Sequence, residues 1–185
     1  MIDKTLKEIS DNFLNLSQNN VEVISDAASS MIECLENNKK IMFCGNGGSA
    51  GDSQHLAAEL IGRYRKDRKP FAAIALTTDT SSITAVSNDY SFDKIFERQL
   101  EAIGSEDDIL FAISTSGSSK NIIKAILKAK EMNIKTIGLT GKDGSKMNNI
   151  CDILIKVPSD RSDRIQEMHI AIGQILCEII ENKLC

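Results

Sequence analysis

Apolar side chains recur at steps of three and four residues in the N-terminal part of the chain, from Ile2 to Leu16 and again from Val21 to Leu35. Residues with this spacing lie on one face of an α-helix, so the pattern predicts two helices separated by the polar residues 18–20. The apolar face of each helix needs a covering surface, which either the rest of the chain or a second subunit can supply. Packing against the chain's own core is the simpler alternative.

Beyond Lys40 the pattern changes to short apolar runs that alternate with helical periodicity. Strands that are apolar throughout suit a sheet covered by helices on both faces, and the alternation with helices predicts parallel pairing. The sequence therefore predicts a three-layer, doubly wound α/β fold with a five-stranded parallel sheet and two N-terminal helices. Ser162 follows the last strand and is predicted to cap a final helix. The predicted strands are 41–44, 72–76, 109–113, 136–139 and 153–155.

Length and composition narrow the function further. A chain of 185 residues suits one domain over 1–185, made of the helical segment 1–38 and an α/β core at 39–185. The 22 basic and 26 acidic residues are interspersed, which disfavours nucleic-acid binding. Five cysteines without a C-x-x-C pair indicate reduced thiols and a cytoplasmic location. The polar N-terminus and the lack of a run of about 18 apolar residues disfavour secretion and membrane insertion.

Two unusual loops follow predicted strands. The first loop, residues 45–49, has the sequence GNGGS, and the second loop, residues 114–119, has the sequence STSGSS. Ligands of open parallel sheets bind beyond the carboxyl ends of the strands. Glycines let the main chain approach an anion, hydroxyl groups donate hydrogen bonds, and the helix after each loop presents free N–H groups. Together the two loops predict a pocket for a phosphomonoester.

Other phosphate-binding loops fit the first loop less well. A nucleotide-binding P-loop needs a lysine before its Ser or Thr, whereas Ser49 follows Gly48. A dinucleotide-binding G-x-G-x-x-G loop would place a third glycine where this chain has Ala50. We therefore predict that no nucleotide is bound. The simplest alternative is that the glycines and serines only form turns, although two such loops in one sheet make this less attractive.

Polar residues with catalytic potential cluster on two predicted helices. His55 and Glu59 are four residues apart on the helix after the first loop, and Arg63 is predicted to extend the same face by one turn. A carboxylate in a cleft can act as a base, and a neighbouring histidine or arginine can stabilise an oxyanion. The alternative for Glu59 and Arg63 is an ordinary helix ion pair, which contributes only about 0.3–0.5 kcal/mol.

The final helix carries a second cluster, around Gln166. At about 100° per residue, His169 lies about 60° to one side of Gln166 and Gln174 about 80° to the other. His169 and Gln174 can therefore hardly reach the same point. A lone histidine on such a helix is more often a structural residue than a ligand.

Three motifs in this order resemble the phosphoheptose isomerases of the sugar isomerase (SIS) family: CGNGGSA at 44–50, STSG at 114–117, and DRIQEMH at 163–169. The resemblance extends over nearly the whole chain. It implies the flavodoxin-like SIS fold and a homotetramer whose sites take residues from adjacent subunits. It also implies conversion of sedoheptulose 7-phosphate to D-glycero-D-manno-heptose 7-phosphate, an early step towards the heptoses of lipopolysaccharide or capsule.

The resemblance also implies roles for individual residues. Glu59 would be the base that moves the carbon-bound proton through an enediolate. A zinc ion, where present, would be held by His55, Glu59 and Gln166. The residues implied to contact the substrate are Asn46, Gly47, Gly48, Ser49, Arg63, Asp89, Ser114, Thr115, Ser116, Ser119, Asp163 and Gln166.

One position departs from the family pattern. The family's second acid/base histidine, which is also its fourth zinc ligand, is expected where this chain has Gln174. An amide cannot exchange a proton as imidazole does and is a poor zinc ligand. Either Gln174 positions substrate while another group carries the proton, or catalysis is weakened. The rival hypothesis is a non-catalytic phosphosugar-binding regulator, similar to the replication initiator-associating SIS protein. A third hypothesis is an isomerase for another phosphosugar. The retained Glu59 favours catalysis.

Overall fold

A computed structural model describes all 185 residues of the chain. The five strands are β1 (Ile41–Gly45), β2 (Ala73–Ala75), β3 (Ile109–Ser114), β4 (Lys135–Thr140) and β5 (Ile153–Lys156). The helices are α1 (Ile2–Asn19), α2 (Val21–Glu36), α3 (Gly48–Ile61), α4 (Thr80–Asp89), α5 (Ile95–Ile103), α6 (Lys120–Glu131) and α7 (Ser162–Leu184). Short 3₁₀ turns lie at Phe92–Lys94 and Ser145–Asn149.

The strands form one parallel sheet with the order β2-β1-β3-β4-β5. This order confirms the predicted doubly wound fold. The direction of the crossovers reverses between β1 and β3, where Gly45 pairs with Ile113. In such sheets the loops that leave the two strands at the reversal point diverge to opposite faces and leave a crevice between them. Both hydroxyl- and glycine-rich loops therefore leave the sheet at this crevice.

Two apolar cores cover the two faces of the sheet. Ile41 and Phe43 point to the side packed by α1, α2, α3 and α7, whereas Met42 and Cys44 point to the side packed by α5 and α6. Alternate residues of a strand face opposite sides, so a strand buried on both sides must be apolar throughout. The ring centroids of Phe43 and Phe111 lie 5.4 Å apart in the first core. The strands that carry the two loops are thus held rigidly at the centre of the molecule.

The predicted elements all occur, with ends that differ by one or two residues, but the predicted cap of the last helix is wrong. Ser162 is the first residue of α7 rather than its cap. Arg161 holds the cap position in extended conformation, and no side chain there accepts a hydrogen bond from the first turn. Asp163, in that first turn, supplies the negative charge that favours a helix N-terminus.

The position of Arg63 also differs from the prediction. Arg63 does not continue the helical face of His55 and Glu59, because α3 ends at Ile61. Arg68, from the segment after the helix, donates a 2.8 Å hydrogen bond from Nη2 to the main-chain oxygen of Glu59. The last carbonyl groups of a helix need partners, and this guanidinium satisfies two of them, those of Glu59 and Leu60, where another helical turn would otherwise continue.

Helix α1 is poorly covered by the rest of the chain. Leu16 is its only buried residue, whereas Ile2 and Leu6 are 71% and 59% exposed. Leu14, with 58% exposure, adds to this apolar surface. Apolar patches of this kind on a helix usually mark an interaction surface. No helix of the chain combines the length and the apolar content that a membrane crossing requires.

Candidate active site

The first loop turns sharply from β1 into α3. Gly47 adopts a left-handed conformation with φ of 56°, which an L side chain rarely adopts. Gly48 lies directly against α7, because a Cβ atom built there would be 2.7 Å from Nε2 of Gln166. The glycine at position 48 therefore lets the side chain of Gln166 sit beside the main chain of the first loop. This contact joins two of the motifs that the sequence singled out.

Hydroxyl groups organise the second loop. Ser114 is buried at the end of β3, and its Oγ lies 3.2 Å from Oγ of Ser119. The Oγ atom of Ser116 accepts hydrogen bonds from the main-chain N–H (3.3 Å) and the hydroxyl (3.1 Å) of Ser118. Helix α6 begins at Lys120, directly after the loop. The loop therefore presents its hydroxyls next to the N-terminus of a helix.

A pair of asparagines ties the two loops together. Nδ2 of Asn46 donates to Oδ1 of Asn121 at 2.9 Å, and Nδ2 of Asn121 donates back to Oδ1 of Asn46 at 2.8 Å. Asn46 belongs to the first loop, and Asn121, which is 2% exposed, lies in the first turn of α6. The two loops thus lie side by side at the crevice between β1 and β3.

This arrangement suits a phosphoryl group. The N-termini of α3 and α6 both lie at the crevice, and a helix N-terminus carries a partial positive charge with unpaired N–H groups. In α6 the main-chain N–H groups of Lys120 and Asn121 make no hydrogen bond within the chain. Such donors, together with the serine hydroxyls, are the groups that bind phosphate at helix N-termini.

The polar residues of α3 meet α7 about two helical turns beyond the first loop. Nε2 of His55 lies 3.0 Å from Oε1 of Glu59 and 2.9 Å from the side-chain amide nitrogen of Gln174. Gly173 makes this contact possible, because a Cβ atom there would be 2.5 Å from the side chain of Leu56. The close approach of α3 and α7 therefore brings Gln174 to the histidine–glutamate pair.

The immediate surroundings of this pair are partly apolar. The side chain of Glu59 is 22% exposed, and that of His55 is 49% exposed. The Cys177 thiol lies nearby in the core, where burial raises its pKa to about 12 and the negative charge of Glu59 acts in the same direction. Cys177 therefore remains a neutral thiol and takes no part as a nucleophile or ligand.

Asp52 is a nearby carboxyl group that the sequence analysis did not single out. It lies three residues before His55 and seven before Glu59, which places all three on one side of α3. Its Oδ2 atom is buried without a hydrogen-bond partner. Burial raises the pKa of Asp52, and His55 opposes this shift. The same i, i+3, i+7 spacing would have identified it from the sequence.

Other predicted site residues lie at the margin or apart. The carboxylate of Asp163 accepts hydrogen bonds from Arg161 (2.7 Å) and Arg164 (3.1 Å) at the start of α7. Partial desolvation alone would raise the pKa of Asp163, but these hydrogen bonds outweigh it and lower the pKa to about 2. Asp89, at the exposed end of α4, accepts a hydrogen bond only from Asn88. Arg63 is exposed and makes no hydrogen bond or ion pair.

His169 lies outside the site, on the other side of α7. It is 1% exposed and faces the main chain of Thr140 without a well-formed hydrogen bond. Burial lowers its pKa to about 4, which the contact with Thr140 only partly offsets. His169 is a neutral core residue, as expected for a lone histidine on a helix, and it does not share the position of Gln174.

The side chains at the site offer few ligands for a metal ion. Of the side chains that meet here, only His55 and Glu59 are strong zinc ligands, and Gln166 and Gln174 offer amide groups. No group of three or more His, Cys, Asp or Glu residues in the chain could hold a metal ion. Zinc sites in proteins normally use at least three such ligands, so these residues do not fit zinc.

Comparison with known proteins agrees with this geometry. Residues 6–141 match the SIS domain family. The phosphoheptose isomerase of Campylobacter jejuni subsp. jejuni serotype O:6 is 56% identical over 158 residues, which cover 85% of each chain. That of Aliarcobacter butzleri is 53% identical over 163 residues, or 88% of this chain and 86% of the relative.

Solved structures give the same answer for the fold. The phosphoheptose isomerase of Neisseria gonorrhoeae superimposes with a TM-score of 0.93 at 42% identity and covers 98% of this chain and 97% of its own. A phosphoheptose isomerase from Francisella tularensis gives a TM-score of 0.95 at 40% identity, over 98% and 96% of the two chains. The chain therefore belongs to the SIS domain family and, within it, to the phosphoheptose isomerases.

Proposed function

We propose that this chain isomerises sedoheptulose 7-phosphate to D-glycero-D-manno-heptose 7-phosphate. The observation that carries the proposal is the His55–Glu59 pair on α3, the helix that begins in the first loop, which the Asn46–Asn121 pair ties to the second loop. Relatives with 53% and 56% identity bear the name phosphoheptose isomerase, which supports the choice of a seven-carbon substrate. In this account the hydroxyls of Ser49, Ser114, Thr115, Ser116 and Ser119 and the main chain of residues 46–48 hold the phosphate.

The reaction needs a base that moves a proton between neighbouring carbons of the open-chain sugar. Glu59 supplies this base, and its partial burial keeps competing water away from the carboxylate. As the proton leaves carbon, negative charge develops on the substrate oxygen. The His55 ring, 3.0 Å from Glu59, can donate a hydrogen bond to that oxygen and so stabilise the enediolate. The reaction is completed when a proton passes from the hydroxyl oxygen of the first carbon to the former carbonyl oxygen and Glu59 returns its proton to the neighbouring carbon. Gln166, held against Gly48, lies between the phosphate loops and this pair and orients the sugar.

The site of a single chain is incomplete in this account. Asp89 and Arg63 make no hydrogen bond with the other proposed substrate-binding residues, and the side chain of Asp163 bonds only to its arginine neighbours. A cavity of about 740 Å³ lies at the opposite, amino end of the strands, away from the two loops. We propose a homotetramer in which the apolar face of α1, within the helical segment 1–38, packs against a neighbouring subunit. Residues of adjacent subunits complete each site.

The cellular role follows from the proposed substrate. Heptose phosphates made by this reaction would supply the heptoses of lipopolysaccharide or capsule. All five cysteines are free thiols, which supports the proposed cytoplasmic location.

The experiment that tests the proposal is direct turnover. Purified protein is mixed with sedoheptulose 7-phosphate, and the anomeric protons are followed by NMR. We expect new aldose signals that grow until equilibrium. Tight phosphosugar binding without any aldose product would overturn the proposal and favour the non-catalytic regulator.

A further inference from the structure

The contacts of Gln174 assign it a specific task at this site. Its side-chain amide lies 2.9 Å from Nε2 of His55, and the same ring nitrogen lies 3.0 Å from Oε1 of Glu59. A primary amide carries both a carbonyl oxygen and an NH₂ group. It can therefore accept a hydrogen bond when Nε2 carries hydrogen and donate one when Nε2 is bare. Only with hydrogen on Nε2 can the ring also donate to the Glu59 carboxylate, and in that tautomer Gln174 accepts through its carbonyl oxygen.

The same contacts oppose metal binding. A metal ion at His55 would need the lone pair of Nε2, and its ligation would break both existing contacts of that nitrogen. Apart from Glu59, the remaining donors would be the neutral amides of Gln166 and Gln174, and amides bind zinc far more weakly than imidazole or thiolate. Asp52, one turn before His55 on α3, does not complete a metal site with His55 and Glu59. The buried thiol of Cys177 is not accessible as a substitute.

We infer that Gln174 is a positioning residue that holds His55 against Glu59, and that the site therefore binds zinc weakly and works without a metal. The inference that the site works without a metal rests on the proposed isomerase function, whereas the inference of weak zinc binding does not. Substitution of this single amide by imidazole would give three strong donors, His55, Glu59 and the new histidine. The identity of residue 174 therefore decides between a hydrogen-bonded site and a zinc site.

The presence of only two histidines makes the test simple. Protein labelled with ¹⁵N in its histidine rings gives one set of signals from His55 and one from the buried His169, and a His55→Gln variant assigns them. The intact wild-type oligomer is titrated with zinc chloride. We expect no saturating shift of the His55 ring at one molar equivalent of zinc, and turnover that a chelator leaves unchanged.

Two variants and a control sharpen the titration. Gln174→His adds a direct metal ligand. Because the loss of a residue that only supports a ligand already costs metal sites about 10–100-fold in affinity, we expect Gln174→His to tighten zinc binding by at least about 100-fold. Gln54→His is the matched control, because it adds an imidazole on the side of α3 that faces Thr77, away from Glu59. Gln174→Met removes the amide at similar length; we expect altered His55 ring shifts and a lower kcat, with KM less affected.

The outcomes separate the inference from the proposed function. Saturation of the wild-type His55 ring by one equivalent of zinc, or unchanged zinc affinity in Gln174→His, would overturn the zinc inference. Unchanged His55 signals in Gln174→Met would overturn the positioning role. Weak zinc binding together with no turnover in the wild type would support the zinc inference and contradict the isomerase function.

Discussion

The asparagine pair between the two loops offers a quantitative test of the phosphate site. Asn46 and Asn121 exchange two hydrogen bonds of 2.9 and 2.8 Å, and Oδ1 of Asn121 also accepts from the N–H of Ile122 at 3.0 Å. A neutral hydrogen bond contributes about 0.5–1.5 kcal/mol, and a buried partner left unpaired costs about 1–3 kcal/mol. We therefore expect Asn121→Ala to lower the free energy of unfolding by about 2–3 kcal/mol.

The same substitution is expected to weaken phosphate binding, because the two loops are no longer held at a fixed separation. Denaturant unfolding of the wild type, both single alanine variants and the double variant forms a double-mutant cycle. Since each single variant breaks the same pair of bonds, we expect a coupling energy of about 1–3 kcal/mol. Substrate KM is measured on the same four proteins, with inorganic phosphate as a competitive probe.

The control is Asn149→Ala, an exposed asparagine whose side chain makes no hydrogen bond. It should leave both stability and KM unchanged. A coupling energy below about 0.5 kcal/mol between Asn46 and Asn121, or an unchanged KM in both single variants, would refute the reasoning that this pair sets the geometry of the phosphate site.

Three further predictions follow from individual contacts. Gly48→Ala should raise KM severalfold with little change in stability, because its Cβ displaces the flexible end of Gln166, only 2.7 Å away; steady-state kinetics with an unchanged KM would contradict this. The pKa of His169 is about 4 in the folded chain, below the ordinary 6.5. Between these values the unfolded chain binds a proton that the folded chain does not, so the free energy of unfolding should fall by up to about 3 kcal/mol as pH falls from 6.5 to 4. Denaturant unfolding should show this slope in the wild type and a flatter one in His169→Gln. Light scattering should give about four times the 20.3 kDa chain mass, and Leu6→Asp, which puts a charge on the exposed face of α1, should reduce it; a wild-type monomer would contradict the proposed assembly.

The fold was predictable because its signals are local. Each strand is short and apolar throughout, and each is followed by a helical pattern, so parallel pairing and two covering layers follow from the order of elements. The end of α3 was not predictable in this way. It depends on Arg68, whose guanidinium binds the main-chain oxygen of Glu59 and the carboxylate of Glu181 at 3.0 Å. Glu181 lies far along the chain, and no local pattern reveals its partner.

The site was predictable in its parts and less so in its connections. The two loops, His55 and Glu59 stand out from the sequence by type and spacing. The Asn46–Asn121 pair joins residues 75 positions apart, and the contact of Gln174 with His55 joins residues 119 apart. Both depend on the packing of helices around the sheet, which residue spacing alone does not give. Asp89 and Arg63 stay apart from the site in one chain, and their proposed role depends on the assembly.

The most direct test of the central claim, that Glu59 moves the carbon-bound proton, is the kinetics of Glu59→Gln. General base catalysis contributes about 10²–10⁴-fold to such reactions, so kcat for sedoheptulose 7-phosphate should fall by at least that range. Phosphosugar affinity, measured by calorimetry, should stay within a few-fold, because the amide keeps the shape of the side chain and the phosphate contacts remain. Turnover at the wild-type rate in this variant would contradict the account.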